Sequence, residues 1–183
     1  MRRLTLLFWT LALVGAVGCP TTQAPEGDAN TAVTRIGIYD SRAIAVAFIG
    51  SEVYTAAEGE ALAEKTAEFE NAEAARDHEK LAELKAREET QRALRQAQGF
   101  STAPVDDILE YIAAQLPGIK KEANVELVVS KWDDETLSAY TSAERVDVTM
   151  RLVEAFRPNE KQRQSAIEIQ EVKPVPLRRI RTH

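Results

Sequence analysis

From Glu52 to Gln98 the chain is built largely from Ala, Glu, Lys, Arg and Gln, with one glycine, Gly59, and no proline. These side chains lose little rotamer freedom in a helix, so the stretch reads as helical throughout. Its large apolar residues are sparse, chiefly Tyr54, Leu62, Phe69, Leu81, Leu84 and Leu94. So thin a set builds no globular core, and such a helix needs a partner helix. The charges name the partner. Residues 60–74 carry Glu60, Glu64, Glu68, Glu70 and Glu73 against Lys65, whereas residues 80–95 carry Lys80, Lys85, Arg87, Arg92 and Arg95 against Glu83, Glu88 and Glu89. An acidic half followed by a basic half suits a chain that folds back on itself. The turn is expected near Ala74–Glu79, with Asp77 as N-cap of the returning helix. A single straight, solvated helix is the alternative, since isolated surface ion pairs add little.

The rest of the chain limits what this arm can be attached to. A length of 183 residues allows one or at most two domains. With only 6% aromatic residues, the chain suits a small core plus extended helices and not a large enzyme core. The formal charge of −6 argues against a general nucleic-acid binder, and the one basic cluster, Arg178, Arg179 and Arg181, is too short to reverse this. Cys19 is the sole cysteine, which excludes an internal disulfide.

Residues 1–18 read as a signal peptide. Arg2 and Arg3 form a basic start, and Leu4 to Val17 is an apolar run too short for a membrane span. The run ends in Ala16-Val17-Gly18-Cys19, which resembles the lipobox of bacterial lipoproteins. That resemblance implies lipidation at Cys19 and membrane attachment without a spanning helix. An ordinary secretory signal with an incidental cysteine is the other reading. Residues 19–34 then form the lipidated cysteine and a flexible polar linker containing Pro20, Pro25 and Gly27.

Arg35–Tyr39 reads as a strand, Asp40 or Ser41 as a cap, and Arg42 to Ile49 as a short apolar helix. Beyond Gln98, the Gly99–Pro104 stretch is either a kink in the returning arm or the tip of the hairpin. The length of the two arms favours a tip at 74–79. Arms of about 38 residues would then reach roughly 55–60 Å. Val105, Ile108, Leu109, Ile112, Leu116 and Ile119 recur at helical spacing and predict an amphipathic helix, with Asn124 as a left-handed C-cap. Glu126–Ser130 reads as a second strand. Lys131 to Glu144 reads as a loop in which Trp132 caps the core and Asp133, Asp134 and Glu135 form a solvated acidic turn. Asp147 is expected to cap a last helix with Val148, Leu152, Val153 and Phe156 inside, ended by Pro158. Residues 157–183 read as a polar C-terminal tail, mobile or with an edge strand at Ala166–Val172. The fold class is therefore α+β, mostly α: a long, coiled-coil-like helical hairpin on a small β body with flanking helices.

This order resembles the Skp/OmpH-like family of periplasmic chaperones. The resemblance rests on Ile36-Gly37-Ile38-Tyr39-Asp40-Ser41, the arm, Val125-Glu126-Leu127-Val128-Val129, and Val146-Asp147-Val148-Thr149 before Leu152 and Val153. It covers residues 35–156, with the arm at about 52–123. It implies a homotrimer whose strands form a common body and whose hairpins surround a cavity for unfolded outer-membrane proteins, working without ATP. It also implies a place in the bacterial cell envelope facing the periplasm, anchored here by lipid, with the outer membrane favoured. Members of that family are basic and soluble, whereas this chain is acidic, and residues from 159 onward fall outside the pattern. No catalytic, cofactor-binding or metal-ligating residue is assigned. His78 sits at the expected hairpin tip and His183 is the last residue, so neither suits a catalytic or metal site. Tyr54, Leu62, Phe69 and Leu94 are the candidate client contacts, and the net acidity of the arm predicts a preference for basic client segments. A structural coiled-coil envelope lipoprotein acting as a spacer or interaction scaffold is the competing expectation.

Overall fold

A computed structural model describes residues 35–180; the expectations placed on the leader, Cys19, the linker and His183 lie outside the described residues. Residues 33–183 make a compact unit of their own. It is mostly helical around a small parallel sheet, an α+β architecture.

Strand β1 (Arg35–Tyr39) leads into α1 (Ser41–Phe48), whose N-cap is Asp40. Helix α2 (Glu52–Ala74) starts at Ser51, whose hydroxyl accepts from the Tyr54 amide at 3.1 Å. Helix α3 (His78–Phe100) starts at Asp77, whose carboxylate accepts from the Lys80 amide at 2.9 Å. Between them Arg76 adopts a left-handed conformation (φ 55°), the Arg76 amide donates to Glu73 O and the Asp77 amide to Ala72 O. This pair of bonds closes the end of α2 as a Schellman motif, with arginine where glycine is usual. The turn thus falls within the 74–79 window and not at 99–104.

The expected continuation of the arm to residue 123 is not found. Each of α2 and α3 has 23 residues, or roughly 35 Å of helix. After Phe100 the chain enters the body. The expected amphipathic helix is broken into α4 (Asp106–Leu109), a 3₁₀ turn at Glu110–Ile112, and α5 (Leu116–Ala123). Pro117 explains the break: its ring would clash with a carbonyl one turn back, whereas the first turn of a new helix accepts it. The apolar periodicity still marks burial, since Val105, Ile108 and Ile112 are fully enclosed. Asn124 ends α5 in the left-handed conformation (φ 51°).

Strand β2 (Leu127–Ser130) pairs in parallel with β1, Ile36 opposite Leu127. The loop expected at 131–144 contains α6 (Asp134–Ala139), and the acidic turn is its start: Asp133 accepts from the Thr136 amide, with Asp134 and Glu135 in the first turn. Acidic groups there offset the exposed amides and the positive end of the helix dipole. Strand β3 (Glu144–Asp147) had no sequence signal, because Glu-Arg-Val-Asp carries one apolar residue. It pairs in parallel with the other side of β1, giving the order β2-β1-β3. Asp147 accepts from the Thr149 amide at 2.8 Å and turns the chain into α7 (Thr149–Ala155). The segment read as a mobile tail or edge strand instead forms α8 (Glu160–Glu168). It opens with a reciprocal capping box between Asn159 and Gln162 and packs on α1, burying Ala166.

The main core lies on the α1 face of the sheet and joins α1, α4, α7 and α8 around Phe48, Ile108, Leu152 and Phe156. Gly37 permits this packing: a Cβ there would meet Val148 Cγ2 at 3.0 Å and Val128 Cγ1 at 3.1 Å. The other sheet face carries only a small cluster, Ile36, Val129, Leu137 and Ala143.

A buried ionic cluster closes the C-terminal end of the sheet. Asp40 and Arg42 are both 1% exposed. The Asp40 carboxylate accepts from Arg42 Nη2 at 2.7 Å and from Lys131 Nζ at 2.6 Å. The Asp40 amide donates to Thr149 Oγ1 at 3.1 Å, and Arg42 Nη1 donates to Val172 O at 2.6 Å. Burial opposes ionisation of Asp40, but the hydrogen bonds from Arg42 and Lys131 outweigh it and hold the carboxyl below its ordinary range. Trp132, expected to cap the core, is half-buried beneath two cations, with Lys131 Nζ 4.6 Å and the Arg42 guanidinium 5.2 Å from its ring centre.

Candidate functional site

Three features of α2 and α3 create a crevice where they leave the body. First, near the turn Ala72 and Leu84 are buried, which seals the two helices together there. Second, the Glu68–Arg87 ion pair joins the helices, the one ion pair between them among the described residues. Third, the base of α3 is fixed to the body by a polar knot. Arg95 Nη1 donates to Gln98 Oε1 and to Asp107 Oδ2, each at 2.7 Å, and Gln98 Nε2 donates to Asp107 Oδ1 at 2.6 Å and Pro104 O at 2.9 Å.

Between seal and base lies a crevice of about 550 Å³. Tyr54 and Phe69 from α2 and Tyr111 from the 3₁₀ turn line it, together with half-exposed Ile49. Its floor continues into the core through Phe48, whose ring stacks on Tyr111 at 4.9 Å and meets Tyr54 edge-on at 5.3 Å. Its walls carry Lys65, Arg87, Arg92 and Arg95 against Glu58 and Glu88. Three of these cations are ion-paired, Lys65 with Glu58, Arg87 with Glu68 and Arg95 with Asp107, so the wall presents mixed charge. An open crevice with aromatic rings and guanidinium groups offers many weak contacts to an extended chain.

Of the four candidate contacts, Tyr54 and Phe69 come together in this crevice. Leu62 and Leu94 do not line it and are 62% and 37% exposed elsewhere on the helices. Tyr111, Ile49 and the arginines were missed. Tyr111 lies beside Ile112 in a stretch read for its apolar face alone, and the charged residues were read as partners for the other helix.

A second cleft, about 390 Å³, is lined by all four residues of β2 together with Thr102, Pro104 and Asp106. Tyr39 lines it, and burial pushes its hydroxyl well above the usual phenol range, reinforced by Asp106 and Asp133. Among the described residues β2 and β3 each pair with β1 alone, which leaves the outer side of each without a strand partner there. Among the described residues no helix is long and apolar enough to cross a membrane, and no group of three His, Cys, Asp or Glu is placed to hold a metal. Comparison with protein-family models, curated proteins and solved structures finds no match.

Proposed function

We propose that this protein is a non-enzymatic holdase chaperone of the bacterial cell envelope that holds unfolded outer-membrane proteins without nucleotide. In this reading α2 and α3 act as a projecting hairpin arm, and the crevice at its base is a client contact. The observation that carries the proposal is the crevice itself: Tyr54, Phe69 and Tyr111 line an open crevice whose walls carry both cations and carboxylates. Its chemistry suits client stretches that mix aromatic and charged residues.

The assembly we propose is a homotrimer. Among the described residues the outer sides of β2 and β3 have no strand partner and one sheet face is thinly covered, which leaves room for further copies to complete the body. Pairing of β2 of one copy with β3 of the next would close both edges at once, and the cleft along β2 gives the incoming strand a place. Resemblance to the Skp/OmpH-like family supports the same arrangement. A lipid at Cys19 would tether it to a membrane facing the periplasm, the outer membrane being favoured.

Light scattering of an unfolded β-barrel protein tests the function. Residues 33–183 should slow aggregation at near-stoichiometric ratio, and Tyr54→Ser with Phe69→Ser should remove much of the effect. Unchanged scattering with excess protein at low salt would leave the spacer or scaffold reading in its place. Sedimentation equilibrium tests the assembly: a monomer throughout the micromolar range rejects the trimer.

A further inference from the structure

The C-terminal segment outside the resemblance carries the strongest surface feature not used by this function. After Glu171 the chain has no acidic residue, but it holds Lys173, Arg178, Arg179 and Arg181 on a protein whose formal charge is −6. Lys173, Arg178 and Arg179 are exposed and form no ion pair among the described residues. Beside them stand large apolar side chains in water: Val172 at 56% exposure, Val175 at 39% and Leu177 at 51%. The Val175 amide donates to Phe100 O at 2.8 Å, which brings the 56%-exposed Phe100 to the same place. Arg42 holds the Val172 carbonyl, so the backbone is pinned at two points and the side chains are left outward.

We propose that this patch docks on an anionic lipid bilayer. Apolar side chains flanked by unpaired cations match the interface of such a bilayer, where rings and aliphatic groups enter the headgroup boundary and guanidinium groups meet phosphates. None of the clefts described above includes Phe100, Val172, Val175 or Leu177. Four exposed apolar groups spread among unpaired cations present a surface and not a single contact point, and a soft surface of one charge sign fits that better than an acidic protein segment. Docking needs neither the chaperone activity nor the lipid at Cys19.

Flotation of residues 33–183 with vesicles tests it. The fragment should rise with phosphatidylcholine–phosphatidylglycerol vesicles at low salt and stay down with phosphatidylcholine alone. Arg178→Glu with Arg179→Glu should lower the bound fraction at least about tenfold, since each basic group near such a surface contributes several-fold. Val175→Ser with Leu177→Ser should lower it several-fold without changing the salt dependence. All four side chains are exposed, so circular dichroism should match the parent. Absence of flotation, equal flotation with neutral vesicles, or charge-reversed protein that floats like the parent would each overturn the proposal. So would variants that leave flotation unchanged while altering the sedimentation mass, which would mark the patch as a contact between copies.

Discussion

The β-sheet body and the α2–α3 pair are held by different physics. In the body, partners lie far apart in sequence: Asp40 meets Lys131 and Thr149, Arg42 meets Val172, and Phe48 meets Tyr111 and Phe156. Asp40, Arg42, Thr149, Phe48 and Phe156 are withdrawn from water, so losing one strands another in a low-dielectric interior. In the pair, beyond the base of α3 that is tied to the body through α1 and the Arg95–Asp107 knot, the support is local: helix-forming residues, the Ser51 and Asp77 caps, the turn at Arg76, and one exposed ion pair. Local support of this kind leaves surface open, and the crevice occupies that surface. A firmly held base and a more lightly held pair are the division that the proposed contact with varied extended chains would use.

The comparison breaks most sharply at Asp40. Asp40→Ala leaves Arg42 buried without its carboxylate, and chemical denaturation should show a loss of about 3–5 kcal/mol. The same group sets an acid limit. Its folded-state pKa is lowered, so its contribution is complete above the unfolded carboxylate value of about 3.9 and fades as pH falls through the lower folded value. Stability measured from neutral pH down through this range should fall more steeply for the parent than for Asp40→Asn.

Gly37→Ala strikes the packing of the body. The new methyl must displace Val148 and Val128, and the melting temperature should fall in line with about 1–3 kcal/mol of overpacking.

On the other side of the comparison, Arg76→Gly should stabilise by about 1 kcal/mol, because glycine adopts the left-handed turn without the Cβ penalty. Hydrogen exchange should show the gain at the α2–α3 turn; a loss would mean that the arginine side chain supports it. Smallest of all, Glu68→Gln should change stability by less than about 1 kcal/mol, as exposed ion pairs do. A larger loss would show that the pair is held by charge and not by its caps and the Ala72–Leu84 seal.

Local chemistry made some of this molecule legible from sequence. Asp77 after an alanine-rich acidic run marked the turn, Asn124 marked a left-handed cap, and Val148, Leu152, Val153 and Phe156 marked an inner face that is fully buried or nearly so. Each depends on neighbours within a few residues. Strand β3 could not be read because a four-residue edge strand needs little hydrophobicity of its own; β1 supplies its hydrogen bonds. Helix α8 was missed because its polar sequence buries only Ala166, and α1 supplies the surface against which it packs. The crevice was half legible. Tyr54 and Phe69 stood out on a polar helix, but Tyr111 joins them through Phe48, which stacks on Tyr111 and meets Tyr54 edge-on. Periodicity and capping act within a turn or two of helix, so the sequence by itself determined where the arm begins and where it turns, but not where α3 ends, because the chain enters the body after Phe100 through contacts with distant residues. Which charges would be buried and which rings would face water was decided by tertiary structure, because both depend on desolvation by residues from distant parts of the chain.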